Sequence, residues 1–403
     1  MNPLERFKKI CSFELKEDVY FYGVLPWNET LERWVKEGMP VKNLDNLKET
    51  NMHLLGNMDK IEWLQINSAI FGAGKCGNPP WIVSLDPLYE EEVLNNTSTH
   101  IIKRELDGTI VEISKNNKPG QQSIPRYLEY PVKDKKSWES FKKRLDPFSK
   151  GRWPDKWYEM NNDKMQYPLP GKFNGKHYKY RDFPIGMTLM SLYGNIRNYM
   201  GVENLSIAFY DNPCLIEDML DWQTYMAYET IKKVLKEEVV PNIVWIWEDM
   251  CFNKGSLVSP DFVKTKMLPR YKKVTETLRE NGVDAILVDC DGNIEELIPI
   301  WLEAGINTMW PLECAAGMDA RNLRKKYGNE IILWGNVDKR RLAGTKSDID
   351  LEVEKVKELI KYGGYIVSAD HFIPPDVPYA NVVYWINETR KLSKYPETIR
   401  LIP

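Results

Sequence analysis

Nowhere in its 403 residues does the chain hold the roughly 18 to 20 uninterrupted apolar residues of a membrane-spanning helix. Its start, MNPLERFKKICSFELKED, also lacks an apolar signal core. The expectation is a cytoplasmic protein with no membrane partner. Blocks of like charge are missing too: 55 Lys and Arg against 58 Asp and Glu leave a net charge of -3, which argues against a nucleic-acid partner. Cys11, Cys76, Cys214, Cys251, Cys290 and Cys314 form no CxxC pair and no dense framework, and read as reduced thiols. No glycine-rich nucleotide loop follows any strand-like run, and no repeat of 20 to 50 residues is evident. What the chain has in quantity is aromatic: 14 Trp and 21 Tyr, many near expected strand ends, point to a cavity for a flat or bulky ligand.

The second half alternates strand-like and helix-like segments. NIVWIW (242–247), DAILVDCD (284–291), INTMWPL (306–312), EIILWGN (330–336) and GYIVSAD (364–370) read as strands, each followed by a helix-period segment. Ser259 and Pro260 suit the cap and first position of the helix after the first of these, and Gly305 stops the next. Five consecutive strand-helix units require parallel strands with right-handed crossovers, in either a doubly wound sheet or a barrel. Without a nucleotide loop the (β/α)8 TIM barrel is favoured, and EDVYFYGV, KIEWLQIN and FPIGMTL are the candidates for its first strands. The reading is one domain over 1–403, with an N-terminal extension and with 100–182 as a decorating insertion. There HIIKRELDGTIVEISKN makes a hairpin with a two-residue turn at Asp107-Gly108. The segment 119–182, with a helix at KKSWESFKKRL, is expected either to close over the site or to pack against a second copy, as a homodimer requires.

In such a barrel the chemistry lies past the C-terminal ends of the strands. Those positions are acidic: Glu248-Asp249, Asp289-Cys290-Asp291, Glu313-Cys314, Asn336 and Asp338, and Asp370-His371. Strand periodicity sends Asp289 and Asp291 to one face and Cys290 to the other. Converging carboxylates need a cation or a shared proton, so Asp289, Asp291, Glu313 and His371 are candidate metal ligands, with zinc accepting the imidazole. Glu248, Asp249 and His371 are candidate acid-base residues, and Arg33 and Arg197 candidate anion binders. The alternative for the acids is helix capping, and for the arginines surface ion pairs. His53, His100 and His177 stand in uninformative surroundings.

These residues resemble the uroporphyrinogen decarboxylase superfamily, best over about 180 to 395. WGNVDKRRL is similar to its G-N-[LV]-D-P segment with Lys339 in place of proline, and SADHFIPPDVPYANV to the G-H-G-I-x-P stretch, which puts His371 on the functional histidine. YGNIRNYMGVENL and WEDMCFNKGSLVSPDFVKTKMLPRY also look like family segments. The arginine-rich R-Q-A-G-R segment that holds a tetrapyrrole's acidic side chains is replaced by LERWVKEGMP with a single Arg33. The zinc methyltransferases of the superfamily use H-x-C-G-N and a later cysteine; with the shared G-N set on Gly292-Asn293, Asp289, Asp291 and His371 fall on the ligand positions, while Asn336 and Asp338, in the G-N-[LV]-D segment, are the candidate cofactor-binding residues. The resemblance implies methyl transfer from a small methylated compound, such as an aryl methyl ether, to a cobalamin (corrinoid) on a separate protein, with zinc as Lewis acid. Glu248, Asp249 and Glu313 would be reserve ligands or acids. Two other readings stand beside it: decarboxylation of a small acid or tetrapyrrole, and a non-catalytic corrinoid or tetrapyrrole binder.

Overall fold

The computed structural model describes residues 1–23, 25–40, 62–63, 85–115, 125–153, 156–158 and 177–396. The strands in chain order are β1 (Tyr20–Gly23), β2 (Glu62–Trp63), β3 (Glu92–Asn96), β4 (His100–Arg104), β5 (Ile110–Ser114), β6 (Arg126–Glu129), β7 (Ile185–Leu189), β8 (Ile243–Trp247), β9 (Cys251–Phe252), β10 (Gly255–Ser256), β11 (Ala285–Asp289), β12 (Thr308–Trp310), β13 (Ile332–Trp334) and β14 (Tyr365–Ser368). Eight of them form one sheet in the order β1-β14-β13-β12-β11-β8-β7-β2, and every adjacent pair is parallel. That order is the cyclic order of the chain, as a curled TIM-barrel-like sheet requires. Among the described residues no ladder joins β1 to β2. All five strand-helix units are present. Of KIEWLQIN only Glu62–Trp63 lies within the described residues.

Strand alternation sorts the apolar residues into two buried groups. Val244, Ile246, Ile286, Val288, Met309, Leu333 and Val367 point outward and pack under the helices. Tyr20, Tyr22, Ile243, Trp245, Leu287, Trp310, Ile332, Trp334 and Ile366 point inward and fill the barrel. Phe7 and Ile10, on the helix Pro3–Cys11, close its floor together with Phe13 and Leu15. Asn2 and Glu5 build that helix's capping box, and Pro3 occupies its first position. The N-terminal extension is therefore part of the barrel.

Two local expectations are corrected. The helix entered at Ser259-Pro260 is interrupted by a π turn at Val263–Met267 before it runs on as Leu268–Glu280; Pro269 has no N–H to continue the ladder there. The β4–β5 loop is not a two-residue turn: Gly108 N donates to Glu105 O and Glu105 N to Thr109 O, leaving Leu106, Asp107 and Gly108 as a three-residue loop. Gly108, at φ +88°, takes the left-handed position that this loop type needs. The hairpin belongs to a four-stranded antiparallel sheet, β3-β4-β5-β6. The helix at 135 is present as Lys135–Lys142, while 116–124 and 159–176 lie outside the described residues. Among the described residues no helix is long and apolar enough to cross a membrane.

Candidate active site

An aromatic column runs up the barrel. Tyr22 meets the Trp334 ring edge-on at 4.4 Å, Trp334 meets Trp245 at 5.8 Å, and Trp245 meets Trp310 at 5.0 Å between centroids. Trp310 in turn stacks on His371 at 6.0 Å, and Phe372 and Trp27 complete the mouth, with Trp27 43% exposed. The three inner tryptophans sit on strand positions of the same parity as Asp289. NIVWIW, TMW and ILW carried that signal, which a search for ionisable residues passes over.

Asp289, 3% exposed, accepts one hydrogen bond from Trp245 Nε1 at 2.9 Å. Burial pushes its carboxyl well above the usual range, and the charges of Asp291 and Asp249 add to the shift. Both effects favour its protonated form. Asp291 goes the other way: burial opposes its ionisation, but His371, whose Nε2 lies 3.3 Å from Asp291 Oδ2, together with Lys339 and Arg197 holds it below the usual range. Two carboxyls two residues apart thus have opposite protonation preferences, which is how one site carries both an acid and an anion. Asp249 is raised by burial and by Asp291 against the pull of Arg197. Arg197 bonds Asp249 Oδ2 at 2.6 Å and the Asp249 carbonyl at 2.7 Å, with its guanidinium 4.7 Å from the Trp247 ring centre. Cys290 turns outward, where Met250 N donates to its Sγ.

Asp249, Asp289, Asp291, His371 and Arg197 thus gather at the mouth, whereas the other expected site residues serve the scaffold. Glu248 is fully buried and accepts from Leu192 N, Tyr193 N, Gly194 N and the Tyr271 hydroxyl. It clamps the start of the helix Gly194–Met200 instead of facing the mouth. Gly194 permits this approach, since a Cβ there would lie 2.2 Å from the Trp247 carbonyl oxygen. Asn336, at φ +68°, spends its amide on Leu312 O, Met318 O, Cys314 Sγ and Ala320 N. It staples two loops and leaves nothing for a cofactor. Asp338 caps the short helix Lys339–Leu342 and pairs with Arg340, and buried Asp370 accepts from Cys314 N and Lys339 N. Glu313 accepts from Gly292 N and lies 3.4 Å from Lys339 Nζ, so the lysine that replaces the family's proline enters the site as a cation.

Arg33 pairs with Glu37 at 2.6 Å on a half-exposed helix face and donates to Pro375 O. Arg33→Ala is therefore expected to leave substrate affinity unchanged and to cost about 1 kcal/mol or less in urea denaturation; a large rise in KM would restore the anion-binding role.

The expected zinc set does not assemble. Among the described residues no group of three His, Cys, Asp or Glu side chains could hold a metal ion. Asp289 accepts from an indole, Asp291 is paired with His371, and Glu313 is engaged by Lys339 and a backbone amide.

The chain matches the family model described as Uroporphyrinogen decarboxylase (URO-D) over residues 187–392. It is 27% identical over 212 residues to the uroporphyrinogen decarboxylase of Campylobacter lari, covering 50% of this chain and 55% of that protein. Against the Legionella pneumophila (strain Corby) enzyme it is 27% identical over 143 residues, 34% of this chain and 39% of that one. The chain thus matches about half the length, or less, of these curated relatives. In structure it is similar to a methyltransferase from Methanosarcina mazei, with a TM-score of 0.54 and 15% identity over 97% of this chain and 99% of that one, a likeness of fold. The family model spans just over half of the sequence and takes in Arg197, Asp289, Asp291 and His371, and the chain belongs to the URO-D family.

Proposed function

We propose that the protein is a methyltransferase that takes the methyl group of a small aryl methyl ether and passes it to a corrinoid carried by a separate protein. The observation that carries this reading is the aromatic mouth of Trp310, His371, Phe372 and Trp27 with Asp289 at its foot, a carboxyl whose burial favours the protonated form. A flat arene stacks on Trp310 and Trp27, and its ether oxygen accepts a hydrogen bond from the Asp289 carboxyl. As the methyl carbon–oxygen bond breaks, the oxygen keeps the bonding pair and takes the Asp289 proton, leaving as a neutral phenol. Asp289 is left as a carboxylate that still accepts from Trp245 Nε1, and it regains its proton from solvent before the next turnover. The corrinoid, when docked, supplies the nucleophile that receives the methyl group. The exposed rings of Trp27, past β1, and Phe252, on β9, suit the apolar face of such a group.

The mouth's charge supports a neutral substrate. Its cations Arg197 and Lys339 already face Asp249 and Glu313, so a carboxylate substrate would have to displace one of these acids. That weighs against decarboxylation, the second reading that family membership keeps in play. The test is to incubate the protein with reduced cobalamin and a panel of methoxyarenes. Phenol and methylcobalamin in equal amounts are the expected result. No methyl loss across the panel would overturn the proposal; carbon dioxide released from small aromatic acids would establish decarboxylation, and cobalamin uptake without turnover a binding protein.

A further inference from the structure

Behind the mouth, on the outward side of the strands, lie two thiols that the proposed reaction does not use. Cys251 on β9 and Cys290 just past β11 are 6% and 1% exposed, and their side chains are hydrogen-bonded to each other. The backbone holds them together from both sides. Before the pair, Asp289 O accepts from Glu248 N at 2.9 Å and from Asp249 N at 3.1 Å; beyond it, Phe252 O accepts from Asn293 N at 2.9 Å. Gly292 admits that second contact, since a Cβ there would lie 2.6 Å from Phe252 O. Between these ties Met250 N donates to Cys290 Sγ at 3.3 Å. Both cysteines adjoin carboxyls of the mouth: Cys290 stands between Asp289 and Asp291, and Cys251 follows Asp249 and Met250. A covalent bond between the two sulfurs draws Cys290 Sγ off the Met250 amide and shifts the two loops that carry these acids.

We infer that Cys251 and Cys290 are a modification site, a dithiol that hydrogen peroxide converts reversibly to a disulfide, and that this bond switches the site off by displacing Asp249 and Asp291. Cys251 reacts first. It lies on a hairpin of two two-residue strands beside Phe252, which is 65% exposed, and a ladder that short opens at small cost. The Cys251 sulfur attacks one peroxide oxygen: the S–O bond forms, the O–O bond breaks, and the departing hydroxide takes the thiol proton as water. The Cys290 sulfur then attacks the sulfenic sulfur of Cys251. The S–S bond forms, the S–O bond breaks, and a second water carries off the remaining thiol proton. The thiols lose two electrons and the peroxide gains them, and a dithiol reductant reverses the change by exchange.

The test treats the full chain with a small excess of hydrogen peroxide. Peptide mass mapping should find Cys251 joined to Cys290, lighter by two hydrogen atoms and released by dithiothreitol, with exposed Cys214 outside the cross-link. The chain has four histidines, so the His371 ring signal can be assigned by NMR against His371→Gln; it should move on oxidation as its partner Asp291 moves, and return on reduction. Methyl transfer, the one readout that rests on the aryl ether reading, should fall by about 10²-fold, the cost of displacing a reacting group by about 1 Å. Cys251→Ser should keep its activity and show none of these changes under peroxide. If that variant does not fold, Cys290→Ser, whose hydroxyl can still accept from Met250 N, and the wild-type map decide the matter. Sulfinic acid at either cysteine without a cross-link, a cross-link to another cysteine, or a Cys251–Cys290 bond that leaves the His371 signal in place would overturn the inference. The bond and the shifted signal in a protein that transfers no methyl group would sink the proposed reaction alone. Methyl transfer at full rate in the cross-linked protein would overturn the switch and leave that reaction standing.

Discussion

Asp289→Asn is expected to lower methyl transfer by about 10²- to 10⁴-fold, the range for loss of a positioned general acid, while the protein melts at a higher temperature at pH 8. Asparagine fills the same volume, and its carbonyl oxygen can still accept from Trp245 Nε1, but it has no proton to give. The stability gain follows from linkage. The carboxyl's pKa in the folded chain is raised by burial and by Asp291 and Asp249, so the folded state binds this proton more tightly than the unfolded state does. From the unfolded value of about 3.9 upward, rising pH therefore favours unfolding until the folded pKa is passed, and asparagine removes that loss. The advantage of the variant should be absent at pH 3 and present at pH 8. For the same reason wild-type activity should decline as pH rises through the raised pKa, and residual activity in the variant should lack that limb. Melting curves and rates at both pH values check this. Full activity in Asp289→Asn would remove Asp289 as the acid, and a lower melting temperature at pH 8 would show that its burial is compensated by more than the indole.

Much of this site was legible in the chain. Alternation along DAILVDCD puts Asp289 inward and Cys290 outward, and the same alternation along NIVWIW puts Trp245 and Trp247 inward. Continued by one residue, it turns Glu248 away from the mouth, so the sequence already held the correction to Glu248 as a catalytic acid. Asp249 is different: it returns to the mouth through a backbone at φ +40°, a turn that periodicity cannot supply. Arg197 could not be matched with Asp249 from spacing either, because the pair joins a helix after β7 to a loop after β8, 52 residues apart. The floor formed by Phe7 and Ile10 was hidden for a related reason. An amphipathic first helix shows that it buries one face, and only the curled sheet says against what. The same holds for Asn336 and Asp338, which read as cofactor-binding residues until the loops that Asn336 staples and the helix that Asp338 caps are in place.

The largest stability effect should come from Glu248→Ala. Glu248 Oε1 accepts from Leu192 N at 2.8 Å and from the Tyr271 hydroxyl at 2.7 Å, and Oε2 from Tyr193 N at 2.6 Å and Gly194 N at 3.3 Å. Alanine leaves three backbone amides and a phenol without acceptors in a place closed to water. At about 1–3 kcal/mol per unpaired buried group, partly offset by relaxation, the loss should be about 3–5 kcal/mol. Glu248→Gln should cost less, because Tyr271 can rotate its hydroxyl to accept from the new amide, so that only Leu192 N loses its partner. Tyr271→Phe removes one donor and should cost about 0.5–1.5 kcal/mol. Urea midpoints at unchanged slope would give the three values in that order. The clamp also positions Arg197, which stands one turn into the helix that Glu248 holds and carries Asp249 at the mouth. Glu248→Gln, if folded, should therefore raise KM more than it lowers kcat. A large fall in kcat with unchanged stability would instead make Glu248 itself a proton donor and move the reacting centre to the outer face of β8.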